Sequence, residues 1–140
     1  MALFRCGTSG GGGSLTPTTL WENSNTSLAF PRTGVSNEVS LSDNINNYTY
    51  IKFKFNRSTS DSVNNCEVIY TVDEFKKFTT AASKFSGAVA FISTSGTSPV
   101  FARRMYYVSD TTINITNMAQ INGTVSDQNA GIPVAIYGLK

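Results

Sequence analysis

The chain has 140 residues, a length that suits one domain around a single hydrophobic core. It is 40% hydrophobic and 11% aromatic but only 14% charged, against about 25% in average soluble proteins; Asn, Ser and Thr take the place of charge. Eleven basic and nine acidic residues leave a net charge of +2, too balanced for the clustered basic footprint of an electrostatic nucleic-acid binder.

Met1-Ala-Leu-Phe-Arg-Cys-Gly, followed by Gly10-Gly-Gly-Gly13, reads as an apolar hook on a flexible tether. The hook is Leu3, Phe4, Arg5 and Cys6, and residues 1–14 are expected to anchor a single β domain spanning 15–140. No apolar h-region of a Sec signal is visible, and no run reaches the roughly 18 apolar residues of a membrane span. Residues 15–22 read as a first strand, 23–27 as a polar turn, 38–41 as a short alternating segment and 42–47 as a loop.

Residues 48–55 carry the strongest strand pattern: Ile51, Phe53 and Phe55 point one way, Tyr50, Lys52 and Lys54 the other. A long turn-rich connection, 56–65, leads to 66–72, where Cys66, Val68, Tyr70 and Val72 alternate against Glu67, Ile69 and Thr71. The two runs predict an antiparallel hairpin. Phe75 and Phe78 then stand three apart, with Asp73 and Glu74 early and Lys76 and Lys77 late, which predicts at most one short helix near 73–78.

Residues 86–93 are nearly all apolar and predict a central strand covered on both faces. The strand at 100–108 sets Phe101, Arg103, Met105 and Tyr107 on one face and Ala102, Arg104, Tyr106 and Val108 on the other. Residues 111–116 alternate again, and 132–140 form a patterned final strand that must be held in a core. Short strands with turn residues between them predict an all-β antiparallel sandwich, jelly-roll-like.

Catalytic chemistry has little to stand on. The absence of histidine removes Ser-His-Asp and Cys-His nucleophile systems and the usual metal ligand. The carboxylates lie mostly in loops, and no spacing among them, Glu67, Asp73 and Glu74 included, suggests the carboxylate pair of a glycosidase. Gly10 to Gly13 lack the Gly-Lys-Ser/Thr ending of a phosphate loop. Neither a cofactor nor a metal is expected.

Cys6 and Cys66 are far apart in a chain without a visible secretory signal, and read as free thiols, Cys66 as a small buried hydrophobe. Arg103, Arg104, Met105, Tyr106 and Tyr107 fit two readings: charges that protect an edge strand, or an oligomer or partner interface, where Arg and Tyr are enriched. Trp21, the sole tryptophan, could stack on a sugar; core or interface is the expected place.

Four segments together resemble small β modules encoded by bacteriophages of gut bacteria: the first seven residues with their glycines, Leu20-Trp21-Glu22-Asn23, Tyr50-Ile-Lys-Phe-Lys-Phe55 and Ile132-Pro-Val-Ala-Ile-Tyr-Gly-Leu-Lys140. Such modules are terminal parts of tail-fibre, receptor-binding or virion-surface proteins. The resemblance implies a non-enzymatic structural protein of the virion surface, made in the bacterial host cytoplasm. Its implied partners are other virion proteins, further copies of itself (a trimer first) and host surface glycan, with neither nucleic acid nor membrane insertion. No catalytic residue carries over. The alternative is a monomeric carbohydrate-binding module with an exposed aromatic platform.

Overall fold

The structure is a computed structural model that describes residues 3–6, 16–80, 88–93, 100–120 and 127–140. In chain order the strands are β1 (Leu3–Cys6), β2 (Thr18–Glu22), β3 (Glu38–Ser40), β4 (Tyr50–Ser58) and β5 (Asp61–Thr71), then a short helix α1 (Val72–Phe75). They continue as β6 (Ala88–Ser93), β7 (Val100–Ser109), β8 (Thr112–Ile115), β9 (Ala119–Gln120) and β10 (Ala130–Leu139). A 3-10 turn, Ile45–Asn47, sits in the loop before β4.

Two antiparallel sheets face each other. One has the order β1-β5-β4-β10-β2; the other runs β3-β8-β7-β6, with β9 also on β7. Early strands pair with late ones, β2 with β10 and β3 with β8, the nesting expected of a jelly-roll-like sandwich. The 132–140 segment is therefore locked between β4 and β2, and Ile132, Ile136 and Leu139 lie in or against the core.

Strand β4 shows why the fold forms. Ile51, Phe53 and Phe55 are at most 1% exposed, and burying each such side chain contributes roughly 1.5–3 kcal/mol. On the opposite face Lys52 Nζ lies 3.4 Å from Glu67 Oε1 and 5.0 Å from the Tyr137 ring centre. The opposing sheet supplies Val39, Met105, Ile113 and Ile115, all buried. Helix α1 is as short as expected. The Thr71 hydroxyl caps it by accepting from the Glu74 N–H at 3.2 Å, and Phe75 packs 5.2 Å from Phe53 between ring centres.

The structure corrects three expectations. The β4–β5 connection is not a long loop: Ser58 pairs with Asp61, leaving only Thr59 and Ser60 between the strands. Residues 56–65 lack apolar alternation because backbone pairing carries them; Ser58 also pairs with Ala130, and the Thr59 N–H donates to the Asn129 carbonyl at 2.9 Å. Strand β6 is not central but ends the order of its sheet. An apolar run of that length marks burial without distinguishing centre from edge, and Ala88 and Ala90 are indeed fully buried.

The third correction concerns the cysteines. Cys66 is not a free thiol but is disulfide-bonded. The register sets Cys6 directly opposite it, and the chain has no third cysteine. Sequence distance hid this contact, because β1 folds back along β5 as the edge strand of the five-stranded sheet. The expected hook, Leu3, Phe4, Arg5 and Cys6, is this strand, paired with Ile69, Val68, Glu67 and Cys66.

Candidate functional site: the Trp21 cleft

Strands β2 and β3 are the edges of their respective sheets, and between them the sandwich opens into a cleft. The seam is stitched just below, where the Ser42 N–H donates to the Leu20 carbonyl at 2.8 Å. Above that bond lies a cavity of about 420 Å³ bounded by Trp21, Glu22, Asn23, Val35, Glu38 and Ser40, within the roughly 300–1,000 Å³ of small-molecule sites.

A bulge aims Trp21 into this cleft. Tyr137 pairs with Thr19 but the adjacent Ile136 pairs with Trp21, so β2 carries one extra residue, Leu20. A bulge breaks the alternation of faces. Leu20 is 2% exposed in the core, and Trp21, opposite the buried Ile136, is half-buried beside it. Its ring meets buried Phe30 edge-on, with centres 6.2 Å apart and planes at 72°.

Asn23 shapes the cleft floor while buried. Its backbone N–H donates to the Val134 carbonyl at 2.9 Å, and its side-chain N–H to the Pro133 carbonyl at 2.9 Å. Its side-chain oxygen accepts from the Asn25 N–H at 3.1 Å and from the Arg32 guanidinium at 3.3 Å. Pro133 adjoins a register shift of β10 on β4, so one buried amide holds β2 against an irregular stretch of its neighbour. The far wall is the tight turn in which Arg32 and Val35 exchange backbone hydrogen bonds at 3.3 and 2.8 Å. Gly34 has φ +80° there, a conformation that residues with a Cβ adopt at a cost.

Chemically the cleft joins a half-buried indole to a polar rim. Glu22, Ser24, Ser36, Glu38 and Ser40 are all exposed. An aromatic face with hydroxyls and carboxylates around it suits a polar, uncharged ligand that has an apolar side, as a sugar ring does.

The segment from Arg103 to Tyr107 does not form one surface. Arg103 is fully buried, as is Met105 at 1% exposure, so neither is an interface residue. The Arg103 guanidinium donates to four backbone carbonyls: Gly131 at 2.6 Å, Thr116 at 2.7 Å, and Phe30 and Ala130 at 3.0 Å each. It also lies 5.3 Å from the Phe30 ring centre. Burial pushes its pKa down to about 9, while the charge of Asp127 acts in the opposite direction. Four acceptors stand in for solvent, and the arginine pins β7 to β10 and to the Phe30 loop.

Tyr107 belongs to a cluster at the sandwich end. Its hydroxyl donates to Asp110 Oδ1 at 2.7 Å, and Lys76 Nζ lies 3.1 Å from the same oxygen. That hydrogen bond raises the Tyr107 pKa and lowers that of Asp110. Arg104 and Tyr106 are half-buried on the outer side of β7. The carboxylates singled out in the sequence are dispersed: Glu67 pairs with Lys52, while Asp73 and Glu74 occupy the first turn of α1.

Of the cleft residues, sequence reasoning singled out Trp21 alone. Glu22, Asn23, Val35 and Glu38 were missed because only the stacking of the two sheets sets the β2 and β3 edges beside each other. The one local cue was Gly34 in a polar turn. No protein-family model and no curated protein matches this chain.

Proposed function

We propose that the protein is a non-enzymatic structural module of a bacteriophage virion surface, of tail-fibre, receptor-binding or head-decoration type. It sits among other virion proteins, assembles as a homo-oligomer with a trimer favoured, and meets host surface glycan at the Trp21 cleft. The observation that carries the reading is Trp21 itself, half-buried at a cavity of about 420 Å³ with a polar rim. The four sequence segments that resemble phage modules supply the virion context, and the low charge suits a surface that contacts glycan.

Glu22 and Glu38 share the cleft, so a glycan-cleaving enzyme is the reading to test against. Glycoside hydrolysis sets its two carboxylates in contrasting environments, one kept as acid and one as base or nucleophile. Here both are exposed, which suits accepting hydrogen bonds from sugar hydroxyls. Incubation with gut-bacterial surface polysaccharide, followed by chromatography, checks this: retention without shortening of the polymer is expected, and shortening that Glu22→Gln or Glu38→Gln abolishes would make the protein an enzyme.

The same cleft would serve a monomeric carbohydrate-binding module. Light scattering after size exclusion separates the readings, with a trimer expected for the virion module and a 15.1 kDa monomer for the alternative.

A further inference from the structure

Charge in the Trp21 cleft has a single sign. Of the residues that bound it, only Glu22 and Glu38 are ionisable, and they stand on facing edges, one on β2 and the other on β3. Both are exposed, and among the described residues neither forms an ion pair.

The cations to weigh against them are Arg32 and Lys54. Arg32 donates to the Ala29 carbonyl and to Asn23 Oδ1 at 3.3 Å each, and to Ser24 Oγ at 3.5 Å. Its guanidinium is tied to that loop, and its single charge offsets at most one of the two carboxylates. Lys54 lies two strands from Glu22, across Ala135. That is roughly 10 Å at the usual strand spacing, about a Debye length in 0.1 M salt.

A carboxylate accepts hydrogen bonds and donates none. It therefore suits the hydroxyls of a sugar, which donate, and repels a sugar that carries a carboxylate of its own. An anionic ligand group is held best by a cationic partner, and no residue lining the cleft is cationic. The Asn23 amide cannot substitute, because its N–H already donates to the Pro133 carbonyl at 2.9 Å. Ser36 keeps its hydroxyl proton, since its oxygen accepts from the Glu38 N–H at 3.1 Å. The cleft thus offers neutral hydrogen bonds and negative charge together, and built-in repulsion is one of the two ways a site discriminates between ligands.

We infer that Glu22 and Glu38 are specificity-determining residues, which admit neutral, hydroxyl-rich glycan to the cleft and exclude glycan built of acidic sugars. The selectivity rests on glycan recognition at this cleft and adds the class of glycan recognised. A ring seated between β2 and β3 meets a carboxylate on either side, so turning it over does not relieve the repulsion.

The test uses the full chain and surface polysaccharides of gut bacteria, each in a neutral and an acidic form. Acidic polymers are carboxyl-reduced to give their neutral partners, and neutral polymers are oxidised at primary hydroxyls to give their acidic ones. Tryptophan emission is titrated with both members of each pair at low salt and neutral pH. The unchanged protein is compared with Glu22→Gln, Glu38→Gln and Glu38→Lys, at exposed positions where the fold does not depend on the charge. Neutral forms are expected to bind about tenfold or more tightly than their acidic partners. The gap should narrow in both glutamine variants and in about 0.5 M salt, and Glu38→Lys should shift it furthest toward the acidic forms. Acidic forms that bind as tightly as neutral ones, or a gap that Glu38→Lys leaves in place, would overturn the selectivity while glycan binding stood. Binding of neither member of any pair, from folded protein, would defeat glycan recognition and the selectivity with it.

Discussion

Gly138 runs beneath the ring of Tyr48 so closely that a Cβ at this position would lie 2.5 Å from two ring carbons. The Tyr48 hydroxyl is fixed from the other end, donating to Asp43 Oδ2 at 2.9 Å, so the ring has little freedom to retreat. Gly138→Ala is therefore expected to lower stability by about 1–3 kcal/mol through overpacking. Urea unfolding checks this. In the Tyr48→Ala background the alanine should cost much less, the coupling that residues in contact show.

Arg103 should be among the least replaceable residues. Arg103→Leu leaves three buried hydrogen-bonded carbonyls, of Phe30, Ala130 and Gly131, and the part-buried Thr116 carbonyl without this donor, and a loss of roughly 3–5 kcal/mol is expected, as for one partner removed from a buried charged network. Arg103→Lys retains charge but lacks the planar fork that addresses several acceptors at once, so an intermediate loss is expected. Denaturant midpoints of the three proteins give the ranking; equal stability would remove the role assigned to this side chain.

The disulfide predicts a redox-dependent melting point. Reduction, or Cys66→Ser, is expected to cost roughly 2–4 kcal/mol, read as a lower Tm in thermal scans with reductant. Deleting residues 1–14 removes β1 as well as the disulfide, so a truncated chain should show at least the same loss. An anchor with no part in the fold would leave Tm unchanged.

The Tyr107 hydroxyl, and then Lys76, hold Asp110 below its ordinary pKa of 3.8; the Tyr48 hydroxyl, followed by the Asn44 backbone N–H, does the same for Asp43. A carboxyl depressed in the folded state contributes stability that is fully present well above pH 3.8 and lost as pH falls through the lowered value. Asp110→Asn should thus reduce the urea midpoint at pH 7 and flatten its decline below about pH 4. An unchanged acid slope would contradict the assignment.

What the sequence revealed, and what it hid, follow from the range of the forces involved. Ile51, Phe53 and Phe55 announced their strand because alternation is local, and Phe75 and Phe78, with Asp73 and Glu74 ahead of Lys76 and Lys77, announced a short helix for the same reason. Trp21 did not reveal its direction: the Leu20 bulge that turns it depends on β10, more than a hundred residues later. Arg103 looked like a surface charge because the carbonyls that accept its hydrogen bonds come from three separate segments. The disulfide stayed hidden because its cysteines are distant in sequence and only the β1–β5 register sets them opposite each other.

Trp21 is the sole tryptophan in the chain, so tryptophan emission, excited selectively over the six tyrosines, reports on the cleft. The most direct measurement is a fluorescence titration of the full chain with purified surface polysaccharides of gut bacteria, alongside Glu38→Gln as a cleft variant. The account predicts a saturable change in intensity or emission maximum with at least one polysaccharide, with its midpoint moved to higher concentration in the variant. Emission unchanged across the whole set, from protein shown to be folded, would contradict glycan recognition at this cleft.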